Sequence, residues 1–180
     1  MSVEQEARPK TTSRARTLTV SEVVQETKDS ITISFEVPDE IVDDFKHQPG
    51  QFITLKIPSD QTGHVARCYS LSSSPHVDDF RLEIGVKRTD GGYASNWLCD
   101  NISVGMQVTA LPPSGQFTAK NLDVDMLFFA GGSGITPVLS LVKSALVSGG
   151  GEVVLFYANR DADSIMYARQ LQQISSGVLP

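Results

Sequence analysis

Four consecutive residues, Arg67 to Ser70, carry side chains suited to holding a flat, phosphorylated cofactor. The arginine offers a planar fork of N–H donors for a pyrophosphate, and the tyrosine offers a ring that packs on a heterocycle. The serine offers a hydroxyl to a ring nitrogen. Because side chains alternate along a strand, Cys68 and Ser70 should face one side and Arg67 and Tyr69 the other. An ordinary strand explains the same four residues, so the evidence that they form a cofactor site depends on the neighbouring motifs.

A glycine pair further along, Gly91-Gly92, precedes a pattern that predicts a short helix over residues 93–100. The free N–H groups and positive dipole end of a helix start attract an anion, and Ser95 adds a hydroxyl. A glycine turn with a helix cap is the alternative interpretation. The candidate phosphate ligands of this segment are Val86, Lys87, Gly92, Tyr93, Ala94 and Ser95.

A glycine-rich loop, Gly131 to Pro137, lies between an apolar run and an amphipathic stretch, a position that suits a pyrophosphate. Pro137 replaces the last glycine of the usual dinucleotide fingerprint. We expect Thr136 to cap the following helix, with Pro137 as its first residue. The candidate ligands of this loop are Gly131, Gly132, Gly134 and Thr136.

Arg160 follows the next predicted strand, where an α/β sheet meets the adenosine ribose of a dinucleotide. It could bind a 2′-phosphate or stack on adenine, and the alternative is an ion pair with Asp161 or Asp163. Those carboxylates would repel a 2′-phosphate. The segment therefore favours NADH over NADPH.

Alternating apolar residues from Thr17 to about Gln116 predict an antiparallel, six-stranded β barrel of the Greek-key type. The clearest strands cover residues 31–37, 51–57, 65–72, 80–86 and 106–111. Pro112 to Gly115 and residues 118–125 are interpreted as the connection to a second domain.

From Met126 the pattern becomes strand, helix, strand, helix, which predicts a parallel α/β sheet. Apolar runs at 126–130 and 152–158 indicate strands buried on both faces, and a second helix is expected near 163–174. Two βα units are few for such a sheet, so this nucleotide-binding domain is expected to be incomplete. The first helix should bury the stripe Val138, Leu139, Val142, Ala145 and Leu146.

Composition narrows the class of protein further. A net charge of −6 over 180 residues argues against nucleic-acid binding, which needs clustered positive charge. Residues 1–16 are basic and polar without the apolar core of a signal peptide, which predicts a disordered tail. No run approaches the roughly 20 apolar residues that span a bilayer. Cys68, Cys99 and the three histidines lack metal-ligand spacing, so we expect a cytoplasmic protein without membrane insertion or a metal site.

The order of these motifs resembles the ferredoxin–NADP reductase superfamily. Residues 67–70 have the form of its flavin signature, Arg-x-Tyr-Ser, and residues 92–95 have its Gly-x-x-Ser form. Residues 132–137 match the Gly-x-Gly-Ile-Thr-Pro loop of its nicotinamide domain. The resemblance implies an FAD-binding barrel over residues 17–120 and the N-terminal part of an NAD(P)-binding domain over 121–180.

The same resemblance implies a role for individual residues. Arg67 would hold the FAD pyrophosphate, and Tyr69 would lie against the isoalloxazine. Ser70 would form a hydrogen bond near flavin N5, and Thr136 would sit beside the nicotinamide. Ser70 and Thr136 are therefore the candidate catalytic residues, with Cys68 as a neighbouring cofactor contact.

Within the superfamily, residues 65–71, 86–89 and 92–100 are most similar to reductases of multicomponent oxygenases of the 3-ketosteroid 9α-hydroxylase and phenylacetyl-CoA epoxidase types. Such reductases take a hydride from NADH onto FAD and pass electrons through a 2Fe–2S cluster to an iron–sulfur oxygenase component. This sequence lacks the cluster's cysteine pattern, so the resemblance implies a missing C-terminal domain. Two alternatives stay open: the reductase part of a flavohaemoglobin, and a non-catalytic FAD-binding fragment or electron-transfer regulator.

Overall fold

The computed structural model describes residues 14–78 and 81–178 of the chain. Six strands form its first part: β1 (Arg16–Thr27), β2 (Ser30–Glu36), β3 (Phe52–Ser59), β4 (Gly63–Ser70), β5 (Leu82–Lys87) and β6 (Gln107–Ser114). A helix, α1 (Tyr93–Asn101), separates β5 from β6, and a 3-10 helix covers Asp39–Phe45. Of the predicted tail, residues 1–13 lie outside the described residues, and Arg16 already belongs to β1.

The strands pair antiparallel in the order β4-β3-β6-β1-β2-β5. Leu71 forms one more antiparallel bridge with Ile84, which joins the end of β4 to β5 and closes the sheet into a barrel. The connections from β2 to β3 and from β5 to β6 pass over intervening strands, as in a Greek key. The predicted six-stranded antiparallel fold is confirmed.

The pairing of β3 with β4 sets the direction of the flavin-signature side chains. Arg67 lies opposite Leu55 and Tyr69 opposite Ile53, whereas Ser70 lies opposite Phe52. Directly paired residues share one face of an antiparallel sheet. Arg67 and Tyr69 therefore lie on the face that carries the fully buried Ile53 and Leu55.

Strand β6 is longer than expected, because it continues through Pro112 and Pro113 to Ser114. The register of β3 against β6 shifts here: Phe52 pairs with Ser114, whereas Thr54 pairs with Leu111. Proline is tolerated at a bulge, where no ladder N–H is required. The prediction of a connection at these prolines was wrong for that reason.

The second part of the chain contains β7 (Met126–Gly131), α2 (Ile135–Ser148), β8 (Val153–Ala158) and α3 (Ala168–Ser175). Single 3-10 turns cover Gly132–Gly134 and Ala162–Ser164. Strands β7 and β8 are parallel, with Met126 opposite Val153, and α2 packs against one face of the pair. The predicted parallel α/β unit is confirmed. Among the described residues, no helix is long and apolar enough to cross a membrane.

The two parallel strands are buried on one face only, so the prediction of burial on both faces was wrong. Phe129 and Phe156 are 71% and 58% exposed, and their rings stack with centroids 5.3 Å apart. Leu127 and Val154 share this open face. The apolar run does predict a strand, but it cannot report whether a second layer is present to cover it.

Helix α2 is buried on two sides. The predicted stripe is buried from Val138 to Ala145, but Leu146 is exposed. A polar stripe, Ser140, Lys143 and Ser144, is also fully buried, because it faces the loop after β4. There the Ser140 hydroxyl donates to the Ser73 carbonyl (2.6 Å) and Lys143 forms an ion pair with Asp78 (3.0 Å).

The last helix begins later than predicted. Residues 163–174 were expected to be helical, but α3 starts only at Ala168. Tyr167 adopts a left-handed conformation (φ 59°), and both it and Met166 are buried. The Tyr167 N–H donates to Glu26 of β1 (3.0 Å). Anchoring Tyr167 in the interface with the barrel interrupts the helix at that point.

Candidate active site

An open cavity of about 560 Å³ lies where the end of β4, the start of α1 and the start of α2 meet. It brings together three of the predicted segments, which are far apart in sequence. The predicted residues that line it are Arg67, Cys68, Tyr69, Ser70, Lys87, Gly92, Tyr93, Ala94, Ser95 and Thr136.

The β4 side of the cavity carries the arginine and the tyrosine. Arg67 is exposed, and its Nη1 donates to the Ala66 carbonyl (2.7 Å), which holds the fork at the cavity rim. Tyr69 is half-buried against the barrel core, and burial raises the pKa of its hydroxyl to about 12. The tyrosine is therefore neutral at physiological pH and presents an uncharged ring.

The two remaining residues of this segment differ in environment. Cys68 is an exposed free thiol, 3.4 Å from the Thr54 hydroxyl. Ser70 is the last residue of β4 and is half-buried. A hydroxyl at a strand end can reach the cavity although its direction along the strand differs from that of Tyr69.

The start of α1 is shaped for an anion. Gly91 has a φ of +67°, and the Gly92 N–H donates to the Thr89 carbonyl (2.9 Å), which forms a tight turn. The Ser95 hydroxyl accepts the Thr89 N–H (3.2 Å), so it fixes the loop and keeps its own proton for another acceptor. No side chain caps the helix start at Gly92, which leaves first-turn N–H groups for a ligand.

Two predicted contacts of this segment, Val86 and Ala94, have buried side chains, so they offer a cofactor mainly their backbone. Val86 is fully buried and pairs with Ile31 of β2, so its side chain packs inside the barrel and is absent from the cavity lining. Ala94 is 4% exposed and offers the cavity little more than backbone. The hydroxyl of Tyr93 donates to the Pro58 carbonyl (2.7 Å), which ties α1 to the end of β3.

Thr136 lies at the base of the cavity and is 2% exposed. Its hydroxyl donates to the Ser133 carbonyl (2.9 Å). The prediction that it caps the helix was wrong: α2 begins at Ile135 with Gly134 as its N-cap, because the 3-10 turn Gly132–Gly134 leads directly into the helix. Pro137 still falls in the first turn, where its missing N–H costs nothing.

The glycines of this loop face open space. A Cβ built on Gly131, Gly132 or Gly134 would meet no atom within 4 Å, so the loop has room for a ligand in front of it. Gly132 lines a second cavity of about 500 Å³, and Gly131 borders the groove beside Phe129 and Phe156. Gly134 lines neither of these two cavities nor this groove.

The second cavity joins the two parts of the chain through charged side chains. Arg160 forms an ion pair with Asp29 (3.0 Å) and remains 73% exposed. The alternative prediction, an ion pair of Arg160 with Asp161 or Asp163, was wrong. The β1–β2 turn instead brings Asp29 to the end of β8. Lys87 reaches the same carboxylate (3.5 Å) and donates to the Ser164 carbonyl (3.1 Å).

Asp29 is a functional candidate that sequence reasoning missed. Burial alone would raise the pKa of its carboxyl, but the Thr27 hydroxyl, Lys87 and Arg160 together hold that pKa below its usual range. The carboxylate is thus charged and pairs with two cations at once. No local pattern reveals a pair separated by 131 positions.

Tyr167 and Gly85 form a second contact that was not predicted. A Cβ on Gly85 would lie 2.2 Å from the Tyr167 hydroxyl and 2.8 Å from the Thr136 hydroxyl. The glycine therefore lets both side chains approach β5 closely. Tyr167 is fully enclosed, and burial raises the pKa of its hydroxyl to about 12. A lone glycine inside an alternating strand was the available signal of a close approach.

These residues fit a flavin dinucleotide. A guanidinium and an uncapped helix start suit its pyrophosphate, a neutral tyrosine suits its ring, and Ser70 and Thr136 supply hydroxyls in one cavity. The comparison with known families agrees. Residues 17–119 match the oxidoreductase FAD-binding domain, and residues 128–177 match the oxidoreductase NAD-binding domain. The chain belongs to the oxidoreductase family defined by this FAD-binding domain and carries FAD- and NAD-binding domains.

Among individual relatives, the chain is 59% identical over 163 residues to the ferredoxin reductase component of 3-ketosteroid-9-alpha-monooxygenase from Rhodococcus rhodochrous, covering 91% of this chain and 46% of that protein. It is 32% identical over 161 residues to one of the proteins of 1,2-phenylacetyl-CoA epoxidase from Escherichia coli, covering 87% and 44%. The chain thus spans about half the length of the curated relatives it matches.

Solved structures show the same fold. Phthalate dioxygenase reductase superposes with a TM-score of 0.76 at 24% identity, covering 88% of this chain and 48% of that one. The flavohaem-like FAD/NAD-binding domain of nitric oxide dioxygenase from Vibrio cholerae gives 0.73 at 26% identity, covering 90% and 70%.

Proposed function

We propose that this chain is the flavin- and nucleotide-binding part of an NADH-dependent reductase that supplies electrons to an oxygenase, of the 3-ketosteroid 9α-monooxygenase type. The single observation that carries the proposal is the cavity shared by Arg67–Ser70, the start of α1 and Thr136. It brings the residues proposed for the flavin ring together with Thr136, the residue proposed for the nicotinamide. The 59% identity to a reductase component supports the type of oxygenase.

In this proposal residues 17–120 hold FAD, and residues 121–180 begin the nucleotide domain. When bound, FAD accepts a hydride from NADH and passes its electrons on singly. Arg67 and the first N–H groups of α1 bind the pyrophosphate, with Lys87 contributing positive charge. Tyr69 packs on the isoalloxazine.

Ser70 and Thr136 are the proposed catalytic residues. The Ser70 hydroxyl, at the end of β4, donates to the reacting edge of the flavin and keeps it in one orientation. Thr136 is held by its bond to the Ser133 carbonyl and by packing on Gly85, so it can position the nicotinamide carboxamide without moving. The glycines of the loop 131–134 leave room for the nucleotide pyrophosphate.

The acceptor side of the reaction is proposed from the relatives. An iron–sulfur oxygenase component would be the partner, reached through a 2Fe–2S cluster held outside these 180 residues, and the protein would act in the cytoplasm. The reductase part of a flavohaemoglobin shares the fold, but its 26% identity is well below the 59% to the steroid oxygenase reductase.

Anaerobic stopped-flow mixing of the FAD-loaded protein with NADH and with NADPH tests this function. We expect NADH to bleach the visible absorbance of the flavin faster than NADPH does. Bound FAD that neither nucleotide bleaches would contradict the proposal and favour a non-catalytic FAD-binding fragment.

A further inference from the structure

A group of three charged side chains lies beside the second cavity, and one of them, Lys87, also lines the flavin cavity. Lys87 leaves β5, Arg160 follows β8, and the carboxylate of Asp29 lies between them at 3.5 Å and 3.0 Å. The cavity is lined by Gly132, Ala158, Asn159 and Arg160 from the nucleotide side. Ligands of an α/β sheet bind at this edge, outside the carboxyl ends of the strands.

The position of Asp29 is fixed by the turn that carries it. The Thr27 hydroxyl donates to one carboxylate oxygen (2.7 Å), and the Arg88 N–H donates to the Asp29 carbonyl (2.7 Å). Asp29 has a side chain only 19% exposed, whereas Arg160 is 73% exposed. The shielded, hydrogen-bonded carboxylate therefore determines where the exposed guanidinium points.

The remaining charges around this edge are mainly negative. Arg88 is already paired with Asp100 (2.6 Å), Asp90 lines the cavity, and Asp161 and Asp163 follow Arg160 in the chain. Asp29 pairs with both Lys87 and Arg160, so these three side chains together carry one positive charge, and the carboxylates of Asp90, Asp161 and Asp163 add three negative charges near a dianionic phosphate. These carboxylates repel a 2′-phosphate electrostatically, but they do not repel the uncharged 2′-hydroxyl of NADH.

We propose that Asp29 is the residue that determines nucleotide specificity: it occupies Arg160 and Lys87 and thereby excludes the 2′-phosphate of NADPH while accepting NADH. The inference rests on the proposed function, because it assigns a nicotinamide nucleotide to this edge. It places a specificity determinant on the flavin-binding barrel, outside the nucleotide domain. The exposed guanidinium of Arg160 would bind a 2′-phosphate once the competing carboxylate is neutralised.

Binding of two adenosine probes to the FAD-loaded protein tests this directly, because neither probe depends on hydride transfer. The probes are 5′-AMP and 2′,5′-ADP, which differ only by the 2′-phosphate, and isothermal titration calorimetry measures both dissociation constants. We expect Asp29→Asn to tighten 2′,5′-ADP binding about five- to tenfold, the scale of one hydrogen bond of ordinary net strength, and to change 5′-AMP binding less than about twofold.

Two further variants separate a specific contact from a general change of charge. Asp163→Asn removes the same charge from the same edge but leaves the Arg160 ion pair intact. It should therefore raise the affinity for 2′,5′-ADP much less than Asp29→Asn does. Asp29→Asn combined with Arg160→Ala should lose the gain. Unchanged 2′,5′-ADP affinity in Asp29→Asn, an equal gain in Asp163→Asn, or absence of binding by both probes in every form would overturn the proposal.

The outcome is distinguishable from failure of the proposed function. If NADH bleaches the flavin but Asp29→Asn leaves the discrimination between probes unchanged, only the role of Asp29 is wrong. If neither nucleotide bleaches the flavin while the probes respond as expected, the nucleotide site stands and the reductase assignment fails.

Discussion

At the scale of single residues, the guanidinium of Arg67 is the group on which flavin binding should depend most. It is exposed, anchored once to the Ala66 carbonyl, and directed along the cavity rim. We expect Arg67→Ala to weaken FAD binding by about 1.5–3 kcal/mol, the scale of hydrogen bonds to a charged group. Equilibrium titration of the apoprotein with FAD measures it. Arg169→Ala, at an exposed position on α3, is the matched control, and an equal loss there would remove Arg67 from the site.

Thr136 should affect hydride transfer without affecting flavin retention. Thr136→Val keeps the branched shape but removes the hydroxyl that donates to the Ser133 carbonyl. Loss of one neutral hydrogen bond is worth about 0.5–1.5 kcal/mol, so flavin reduction by NADH should slow about three- to tenfold. Stopped-flow absorbance measures the rate of flavin reduction. The amount of FAD bound per protein is the control, and it should not change.

Thr136→Ser retains the hydroxyl, so its rate of flavin reduction by NADH should be closer to that of the natural protein than the rate of Thr136→Val is. Parallel loss of bound FAD in the valine variant would mean that Thr136 acts on the structure of the cavity alone.

At the scale of elements, the close approach of α2 and Tyr167 to β5 should make Gly85 intolerant of any side chain. Gly85→Ala places a methyl 2.2 Å from the Tyr167 hydroxyl, and such overpacking costs about 1–3 kcal/mol. Urea unfolding measures the cost. Adding Tyr167→Phe removes the nearest atom and should recover part of the stability.

Tyr167→Phe alone serves as the reference for that pair. The Tyr167 hydroxyl is buried without a hydrogen bond of ordinary geometry to any residue that the structure describes, so its removal should change the free energy of unfolding by less than about 1 kcal/mol. A double variant no more stable than Gly85→Ala would contradict the proposed clash.

The elements also show where sequence reasoning succeeds. Alternation identified the barrel strands, and glycine pairs identified the turn before α1, because both signals are local. The motifs at Arg67–Ser70 and Thr136 were expected in one site because of their resemblance to the reductase superfamily, and they line one cavity.

The failures have a common physical cause, which is contact between distant segments. The strand through Pro112-Pro113 depends on a shifted register with β3. The burial of Lys143 depends on Asp78, and the late start of α3 depends on Tyr167 docking at Glu26. The position of the Arg160 guanidinium depends on its ion pair with Asp29. None of these partners lies within the same element, so no periodicity could report them.

At the scale of the whole molecule, the barrel and the nucleotide unit are fixed to each other by a buried polar contact. Lys143 is fully buried and its ammonium lies 3.0 Å from Asp78, whose side chain is 12% exposed. Removing one partner of a buried pair leaves an uncompensated charge and costs about 3–5 kcal/mol. We expect Lys143→Met to lower the free energy of unfolding by about 3 kcal/mol, the lower end of this range, because the Asp78 side chain is partly exposed to water.

Urea unfolding of the single and double variants checks this expectation. Lys143→Met combined with Asp78→Asn removes both charges and keeps an acceptor for the Ser74 N–H, which Asp78 binds now. The double variant should be more stable than Lys143→Met alone. A double variant as unstable as the sum of both single changes would mean that the two residues do not act as a pair.

At the junction of the two units we propose an FAD site, and the flavin released by the purified protein tests this proposal most directly. Protein purified without added cofactor, or reconstituted with a mixture of FAD and FMN, is denatured, and the supernatant is separated by chromatography. Because Arg67 and the start of α1 are placed for a pyrophosphate, which FMN lacks, the account predicts stoichiometric FAD and little FMN. A colourless protein that takes up neither flavin, or one that releases FMN alone, would contradict it.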